Sequence, residues 1–494
     1  MFYYLAYFDN YIVYTITALI GYVFYKTYIY PLYLSPLCKI PGPPVDGFFI
    51  GNLTSFYNSG PDEYLLYLER QYGKRGVVLF RSYFNSPQVL ISDHKLAHNI
   101  LVNRAYDYAR TTTERPQTLD MLGINSILTV EGDVHKHQRR IINPAFSFTS
   151  IKGTVPIVVR TVNKLKNYWL KQIGDKKEEI ITVTSLLPKI TLDIIGLAEL
   201  AQAYETITGL QTPSSLALMT MSTFIPFIAK LPFEYNIRFQ NSLKVVKEYS
   251  DKIVIERKNK LAQGKLDEQD LLSVLVGFND KLPDAEKLTH EELRGQVMTF
   301  LVAGHETTST ASTWALLLLA KHLDIQNRLR EELIDAFPDR NYQPTFEEFE
   351  SLKYLDSVIK EVFRVIPPVP AITRRTTKDE TMNGYFVPKG TLLMISICGI
   401  HHNTFNWGEN ASQFDPSRWH DPEMKSKISN SIFLPFTNGP RNCIGMKFAL
   451  MEFKVILATL IRNFEFKEVE GYTFKKRYLG INKPLPGLDL LVSK

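Results

Sequence analysis

One cysteine near the C-terminus, Cys443, lies in a loop whose residue types suit metal ligation. Gly439 and Gly445 stand on either side of it, and glycines let backbone N–H groups turn towards a sulfur and let a flat ligand approach closely. The helical pattern from Met446 onward predicts a helix N-terminus just after the sulfur, which stabilises a thiolate. A single thiolate in this setting can bind haem iron without a second cysteine. The alternative from these residues alone is a buried, inert cysteine.

Two further features could serve the same ligand. Arg441, two residues before the cysteine, can reach a carboxylate on it. Within a long predicted helix, Phe300, Ala303, Gly304 and Thr307 share one face by their i, i+3, i+4 and i+7 spacing. The small residues leave a hollow on that face that would admit a diatomic molecule. A core helix with small residues for close packing is the alternative interpretation.

The elements that must position these residues are mostly helical. Hydrophobic periodicity predicts helices over Lys244–Leu261, Glu291–Leu319, Gln326–Ala336 and Phe346–Val365. A short β region follows, marked by an Asn-Gly turn at residues 383–384 and alternating residues through Ile397. No linker, repeat or low-complexity tract interrupts the chain after residue 50, so the sequence predicts one large catalytic domain over residues 51–494.

Composition excludes several classes of protein. The 494 residues are 45% hydrophobic and 22% charged, which is typical of a globular chain and not of a disordered or collagenous one. The net charge of +6 is spread without a Lys/Arg block, which argues against nucleic acid as a partner. Three widely spaced cysteines exclude a disulfide framework and a zinc ribbon.

The N-terminus differs from the rest of the chain. Residues 10–25 carry no charged side chain, and ten of the 26 tyrosines lie within residues 3–33. This pattern predicts a transmembrane signal-anchor helix with interfacial aromatic residues over residues 1–30. Lys26 and Lys39 follow the span, so the positive-inside rule places the body in the cytosol. A buried core helix is the alternative. Closely spaced prolines predict a stiff, extended hinge over residues 31–50.

The sequence closely resembles the cytochrome P-450 superfamily of haem-thiolate monooxygenases. The family's cysteine loop reads Phe-x-x-Gly-x-Arg-x-Cys-x-Gly, and all of its fixed residues are present as Phe436, Gly439, Arg441, Cys443 and Gly445. The resemblance implies a mainly α fold with small β-sheets, with Cys443 as the axial ligand of the iron of haem b. Thr437 departs from the more usual Ser or Gly.

The resemblance also assigns roles on the long helix. The segment from Ala303 to Thr308 matches the family's oxygen-binding segment. By this resemblance Ala303 lies against the cofactor, Thr307 hydrogen-bonds dioxygen, and Glu306 relays protons from solvent.

Two more motifs match the family in their order along the chain. Glu361-x-x-Arg364 and the later Arg418 correspond to the family's buried Glu–Arg–Arg triad, which is structural. A solvated helix pair is the alternative.

The propionate-binding positions of the family fall on His135, Arg139 and Arg374, with His135 standing where the family has Trp. A solvated basic helix face is the alternative for His135.

The function implied by the resemblance is insertion of one atom of dioxygen into a C–H bond of an apolar substrate such as a lipid, sterol or terpenoid. Electrons would come from an NADPH-cytochrome reductase, since the sequence has no dinucleotide or flavin motif. The expected location is the endoplasmic reticulum membrane, with one span, membrane lipid as a neighbour and the catalytic domain in the cytosol. The alternatives are a haem-thiolate isomerase or dehydratase, and a non-catalytic membrane haem protein.

The resemblance further implies which segments contact the substrate. They are Thr111–Ile127, Thr206–Leu231, the face around Phe300, Val369–Ile372 and the turn near Tyr478–Leu479.

Overall fold

The fold was analysed in a computed structural model of the chain. It describes all residues except 1, 115, 196–199, 201, 202, 204, 205, 208–214, 216, 217, 220, 223, 224, 267–269, 340, 341, 479 and 480. Much of the predicted substrate segment 206–231, and Leu479 of the predicted turn, therefore lie outside the described residues. Two compact units are present, the first made of Met1–Ala109 and Pro370–Asn403 and the second of Arg110–Val369 and Thr404–Lys494. The predicted boundaries at residues 30 and 50 stay predictions.

Helices dominate both units, as the sequence predicts. In the first unit they are α1 (Phe2–Phe24), α2 (Leu53–Ser59), α3 (Pro61–Tyr72), α4 (His94–His98) and, after the second unit's first segment, α15 (Ile397–His402). In the second unit they are α5 (Pro116–Leu122), α6 (Gly132–Ile142), α7 (Phe148–Ile173), α8 (Val183–Ile195), α9 (Glu234–Ala262), α10 (Leu271–Asp280), α11 (His290–Lys321), α12 (Leu323–Ala336), α13 (Phe346–Ser351), α14 (Lys353–Val365), α16 (Thr404–Trp407), α17 (Pro422–Lys427) and α18 (Met446–Asn463).

The strands form small sheets. The first unit contains β1 (Val77–Arg81), β2 (Pro87–Ile91), β3 (Tyr108–Ala109), β5 (Ala371–Thr376), β6 (Glu380–Met382), β7 (Tyr385–Val387) and β8 (Leu392–Ser396); the second contains β4 (Glu178–Thr182), β9 (Glu465–Glu468), β10 (Lys475–Tyr478), β11 (Asn482–Leu485) and β12 (Asp489–Ser493). One five-stranded sheet has the order β1-β2-β8-β5-β3, and only its β2–β8 pair is parallel. The others are β4-β12-β9, β10-β11 and β6-β7. This confirms the mainly α class with small sheets.

Two of the predicted helices, Glu291–Leu319 and Gln326–Ala336, form within three residues of their predicted bounds, whereas the helix predicted over Lys244–Leu261 begins ten residues earlier, at Glu234. Helix α11 begins with a capping box, in which Thr289 and Glu292 satisfy each other's backbone N–H groups. The predicted Asn-Gly turn joins β6 to β7, and both Asn383 and Gly384 have positive φ, as a tight hairpin turn requires. The predicted helix over Phe346–Val365 is broken at Leu352, whose ψ of 95° is extended, so it becomes α13 and α14.

The N-terminal helix forms, but the prediction that it spans a membrane is not confirmed. Within the described residues, no helix combines the length and the apolar character that a membrane crossing needs. Helix α1 has the length, at 23 residues, but tyrosines interrupt its apolar sequence at positions 3, 4, 7, 11, 14 and 22. Those polar hydroxyls dilute its hydrophobic character.

The prediction of an extended hinge from residue 31 is wrong in its first part. The chain stays helical from Tyr25 to Leu34 with Pro31 inside, and a short 3-10 turn covers Pro36–Lys39. The helix is of the wide π type, with Ser35 N bonding to Tyr30 O at 2.8 Å. A wider turn eases the clash that a proline ring makes with the preceding turn. The chain is free of helix from Ile40 to Asn52, where α2 follows.

A buried ion network lies at the C-terminal end of α14. Glu361 and Arg364 have no exposed surface, and Glu361 accepts two hydrogen bonds from Arg364 (2.7 and 2.9 Å) and one from Arg418 (2.8 Å). Trp419 Nε1 and the backbone N–H of Asp415 also donate to Glu361, each at 3.0 Å. The three charged residues that the sequence brought together by resemblance are therefore in contact, and the alternative of a solvated helix pair is excluded.

Replacing Glu361 with Gln should destabilise the fold strongly. The change leaves two buried arginines without their shared anion, and loss of one partner from a buried ion pair costs about 3–5 kcal/mol in the free energy of unfolding. The control is Glu423→Gln, which removes an exposed i, i+4 pair with Lys427 (2.6 Å) worth at most about 0.5 kcal/mol. Denaturant unfolding of both variants checks this, and an equal loss of stability in the two would contradict it.

Candidate active site

The cysteine loop is held by its own backbone and by the helix after it. The Cys443 N–H bonds to Phe436 O at 3.0 Å, which closes the loop, and Gly439–Arg441 form a 3-10 turn inside it. Thr437 and Gly439 have positive φ, at 58° and 78°. The glycine takes this conformation without strain, whereas Thr437 carries a Cβ there. Helix α18 begins at Met446, as predicted.

The Cys443 side chain is accessible at the surface of the polypeptide, although protein atoms surround it on most sides. Burial raises the pKa of its thiol, while the Gly445 backbone N–H and the Arg139 charge act in the opposite direction. The sequence placed glycine N–H groups towards the sulfur, and Gly445 fulfils that role. An accessible thiol with a donor and a cation beside it fits a metal ligand and not the inert core cysteine of the alternative interpretation.

Arg139 fixes the residue before the cysteine. From helix α6 its guanidinium donates to Asn442 O at 2.7 Å and to Asn442 Oδ1 at 2.8 Å. It also donates to Asn143 Oδ1 at 2.9 Å. Two parallel hydrogen bonds to one residue restrict both position and orientation, so α6 determines where the cysteine loop lies.

More cationic side chains gather around the same helix. Arg441 has 1% of its side chain exposed and forms an ion pair with Glu131, which also accepts from the Arg110 backbone N–H at 2.9 Å. The Arg110 guanidinium lies 3.4 Å from His135 Nε2 and donates to Ile127 O at 2.6 Å. Because arginine can only donate, Nε2 of His135 is the acceptor, and the imidazole proton sits on Nδ1.

His135 is uncharged at neutral pH. Burial and the neighbouring charges of Arg110, Arg441 and Arg139 together lower the pKa of its imidazole to about 4. The side chain has no exposed surface, so the alternative of a solvated basic face is wrong for this residue. A neutral His135 can still donate one hydrogen bond, from Nδ1.

The charge of this cluster fits the group that the sequence predicts. The guanidinium groups of Arg110, Arg139 and Arg441 lie together with the carboxylate of Glu131 and the neutral imidazole of His135. Guanidinium groups bind carboxylates through charge-assisted hydrogen bonds. These arginines would therefore suit the two propionates of a haem.

The predicted face of the long helix is partly exposed to solvent, although it lies within the buried middle of that helix. Phe300, Ala303, Gly304 and Thr307 are partly exposed, whereas their neighbours at 301, 302, 305, 306 and 308 are buried. Thr307 donates back to Ala303 O at 2.7 Å. The alternative of tight core packing is therefore excluded for this face.

Phe146 connects that face to the cysteine loop. Its ring meets Phe300 edge-on with centroids 5.3 Å apart. On its other side, a Cβ on Gly445 would lie 3.8 Å from the Phe146 ring. The partly exposed face of α11 and the loop around Cys443 thus share one packing partner in the second unit.

Glu306 lies beside Thr307 and is held as a carboxylate. Its side chain is 7% exposed, and it pairs with His305 Nε2 at 3.2 Å and with Lys483 Nζ. Burial raises the pKa of Glu306, but the His305 hydrogen bond and the Lys483 charge outweigh this and hold the pKa at about 2. Lys483, on β11, is 25% exposed and so reaches towards solvent.

Phe436 connects the cysteine loop to the buried ion network. Its ring packs on Phe363 of α14 with centroids 5.2 Å apart, and Phe363 lies between Glu361 and Arg364 in sequence. An aromatic contact thus joins the helix that carries Glu361 and Arg364 to the cysteine loop, and the role of the triad in supporting that loop stays a prediction.

Arg374 belongs to the first unit, where it is buried on β5 and donates to Thr373 O at 2.8 Å. Its role towards a propionate stays a prediction.

Sequence reasoning missed Arg110, Glu131 and Lys483. Each acts on a predicted residue from a distant part of the chain: Lys483 is 177 positions from Glu306, and Glu131 is 310 positions from Arg441. No local spacing could reveal these pairs. A separate cleft of about 660 Å³, lined among others by His322, Arg328 and residues 412–417, contains none of the predicted site residues.

Comparison with known proteins agrees with this geometry. The family model described as Cytochrome P450 matches residues 41–488. The chain is 32% identical to cytochrome P450 monooxygenase 128 of Postia placenta, over 88% of this chain and 87% of that protein. It is 31% identical to cytochrome P450 monooxygenase sphH of Aspergillus fumigatus, over 90% and 85%, and 29% identical to cytochrome P450 72A15 of Arabidopsis thaliana, over 84% and 82%.

The chain therefore belongs to the cytochrome P450 family. It is a cytochrome P450 monooxygenase, and the family implies a haem-iron cofactor, dioxygen, a redox partner and a substrate.

The guanidinium groups beside the cysteine loop would bind the carboxylates of haem, so Arg110→Met should weaken haem binding. A hydrogen bond to a charged group contributes about 1.5–3 kcal/mol, so we expect haem to be held about tenfold to a hundredfold less tightly. Transfer of haem to an acceptor apoprotein measures this. The control is Arg140→Met on helix α6, which removes an exposed ion pair to Glu286 at 2.8 Å. Equal haem retention in the two variants would show that Arg110 does not compensate the propionates.

Proposed function

We propose that this monooxygenase binds haem b and inserts one atom of dioxygen into an apolar substrate of the lipid, sterol or terpenoid class, with electrons from an NADPH-cytochrome reductase. The observation that carries the proposal is the accessible Cys443 thiol, in a loop that Arg139 holds beside a cluster of guanidinium groups. Haem supplies the iron centre at which dioxygen is activated.

The side chains divide the remaining work. Cys443 provides the sulfur ligand, and the Gly445 N–H stabilises negative charge on it. Arg441, Arg110, His135 and Arg139 hold the carboxylates of the cofactor.

On the opposite side, the Thr307 hydroxyl faces accessible space and can donate a hydrogen bond to a diatomic ligand. It does so by releasing its present bond to Ala303 O.

Proton delivery can use the pair formed by Glu306 and Lys483. Glu306 is buried, whereas Lys483 reaches towards solvent, so the pair connects the neighbour of Thr307 with the protein surface. A carboxylate whose pKa is about 2 accepts a proton only briefly. Glu306 therefore stays charged at neutral pH and can accept hydrogen bonds from donors along such a path.

The apolar substrate class is supported by the surroundings of the accessible face. Phe300 is one of several partly buried apolar side chains that pack against the same core cluster; the others include Met121, Leu128, Ile444 and Phe448. Apolar walls with few polar groups favour an apolar ligand. Met121 and its neighbours also lie in the segment Thr111–Ile127 that the resemblance assigned to substrate contact.

The first test is the carbon monoxide difference spectrum of the dithionite-reduced protein. We expect a red-shifted Soret band from cysteinate-ligated haem, and its loss in Cys443→His, because imidazole does not donate electron density as thiolate does. The control is Cys398→Ser, which changes a fully buried cysteine on α15 of the first unit. Retention of the band in Cys443→His would overturn the ligand assignment, and with it the proposed function.

We further propose that helix α1 attaches the protein to the endoplasmic reticulum membrane, with the catalytic units in the cytosol. Its C-terminal half exposes apolar side chains that no other described element covers; Leu19, Ile20 and Val23 are 60%, 63% and 48% exposed. Exposed apolar surface of this extent favours a lipid environment. Lys26 follows immediately and suits the cytosolic lipid surface.

Replacing Leu19, Ile20 and Val23 together with Asp should move the protein from the alkaline-washed membrane pellet to the supernatant. Charged side chains in a hydrocarbon environment cost about 2.5–3.5 kcal/mol each on insertion scales. The matched control is Phe405→Asp, since Phe405 is a 90% exposed aromatic residue outside α1. If the triple variant stays with the membrane as the control does, α1 is not the anchor.

A further inference from the structure

Helix α18, which follows the cysteine loop, carries a carboxyl group that the proposed function does not use. Glu452 has no exposed surface, and neither of its carboxyl oxygens makes a hydrogen bond within 3.5 Å. A charged carboxylate in such a place is strongly disfavoured. A neutral carboxylic acid, which can also donate a hydrogen bond, is the form that the site tolerates.

One hydroxyl faces this carboxyl. Helix α11 packs against α18, and the hydroxyl of its Thr308 lies close enough to the Glu452 carboxyl to lower the pKa of that group. The hydroxyl is itself buried, and it makes no hydrogen bond within 3.5 Å either. Buried polar groups in native proteins find partners. A small side-chain movement lets the Thr308 hydroxyl and the Glu452 carboxyl form a hydrogen bond, directly or through one bridging water.

The behaviour of neighbouring hydroxyls on α11 supports this pairing. Thr307, Ser309, Ser312 and Thr313 all donate back to the carbonyl of the preceding turn, at 2.7, 3.2, 2.8 and 2.9 Å. Thr308 lies among them and makes no such bond. Its hydroxyl has given up the usual helical acceptor, and the Glu452 carboxyl is the group that it faces.

Among the described residues, the charged side chains on the helices around Glu452 interact with other groups. Helix α18 packs against α7, α11, α12, α13 and α14, and the charged groups of these helices nearest the core are engaged elsewhere. Three of these groups form ion pairs: Lys454 with Glu350 and Asp356, Glu361 with Arg364, and Glu306 with Lys483. Two arginines donate to backbone carbonyls, Arg330 to Ile461 O and Phe464 O, and Arg462 to Phe337 O and Pro338 O. Lys166 of α7 has an interaction of its own. Burial therefore raises the pKa of Glu452 to about 8, and the Thr308 hydroxyl lowers it only in part.

We propose that Glu452 is a neutral carboxylic acid that hydrogen-bonds to Thr308 and thereby acts as a positioning residue for Thr307. The bond joins the helix that starts after Cys443 to the helix that carries the accessible face. By restricting how α11 can shift along its axis or rotate about it, the hydrogen bond fixes the position of Thr307 relative to the cysteine loop. This positioning role rests on the proposed function of Thr307, whereas the protonation of Glu452 does not.

The first experiment measures the protonation directly. The infrared difference spectrum between wild type and Glu452→Gln should contain the carbonyl band of a protonated carboxylic acid at pH 7, and this band should shift in D2O. Thr308→Val should move the band to higher frequency, because the carbonyl loses a hydrogen bond. The control Thr313→Val should leave it in place, since the Thr313 hydroxyl bonds to Ser309 O. A missing band, or a band unchanged by Thr308→Val, overturns the proposal.

The second experiment measures positioning, in the reduced haem protein with carbon monoxide bound. The C–O stretching frequency senses the polar groups around the ligand, so Thr308→Val and Glu452→Met should shift it, while Glu452→Gln, which keeps a neutral hydrogen-bonding group, should restore the wild-type value. Equal shifts in the Gln and Met variants would contradict the positioning role, because they would show that Glu452 only fills space. If wild type lacks the red-shifted Soret band, the proposed function fails, and the infrared carbonyl band still decides the state of Glu452.

The proton also predicts how stability depends on pH. The folded protein keeps the Glu452 proton up to a pKa of about 8, whereas the unfolded chain releases it near 4.5. Between these values the folded state holds one proton more, so this group makes wild-type stability fall as pH rises. The unfolding midpoint of Glu452→Gln relative to wild type should therefore increase from pH 6 to about pH 8 and then level off. A pH-independent difference would contradict the neutral form.

Discussion

The protein depends on pairing charges that its helices bury. Glu361 is the centre of the most complete example, because a carboxylate without exposed surface accepts hydrogen bonds from two arginines, a tryptophan and a backbone N–H. Loss of that anion would leave two guanidinium groups in the core. The network fixes the end of α14, and the contact of Phe363 with Phe436 joins that helix to the loop that presents Cys443.

Charged side chains also gather at the site. Around α6, the guanidinium groups of Arg110, Arg139 and Arg441 lie with Glu131, and burial keeps His135 neutral. The charged residues of the Glu361 network are all buried, whereas Cys443, beside the α6 cluster, is accessible. An accessible cysteine next to donors that bind carboxylates is what distinguishes the site from the Glu361 network.

Helix α11 shows how one element serves several tasks through its faces. One face is accessible at Ala303, Gly304 and Thr307, and Glu306 faces Lys483 on β11. Thr308 faces α18 and Glu452. Because an α-helix turns by 3.6 residues, consecutive side chains point to different neighbours. Thr307 is thus adjacent in sequence to both a proton-relay candidate and the proposed positioning contact.

The sequence by itself determined the features that depend on short spacing. These are the cysteine loop with its following helix, the face of α11, the hairpin at Asn383, and the Glu361–Arg364 pair, since residues a few positions apart on a helix or loop must be neighbours. The tertiary structure decided which residues from other parts of the chain contact these features. They are Glu131 and Arg110 near Arg441, Lys483 at Glu306, and Thr308 opposite Glu452. It also decided that the chain stays helical through Pro31, where local propensity predicted extension. Such contacts join residues up to several hundred positions apart, and only the packing of helices brings them together.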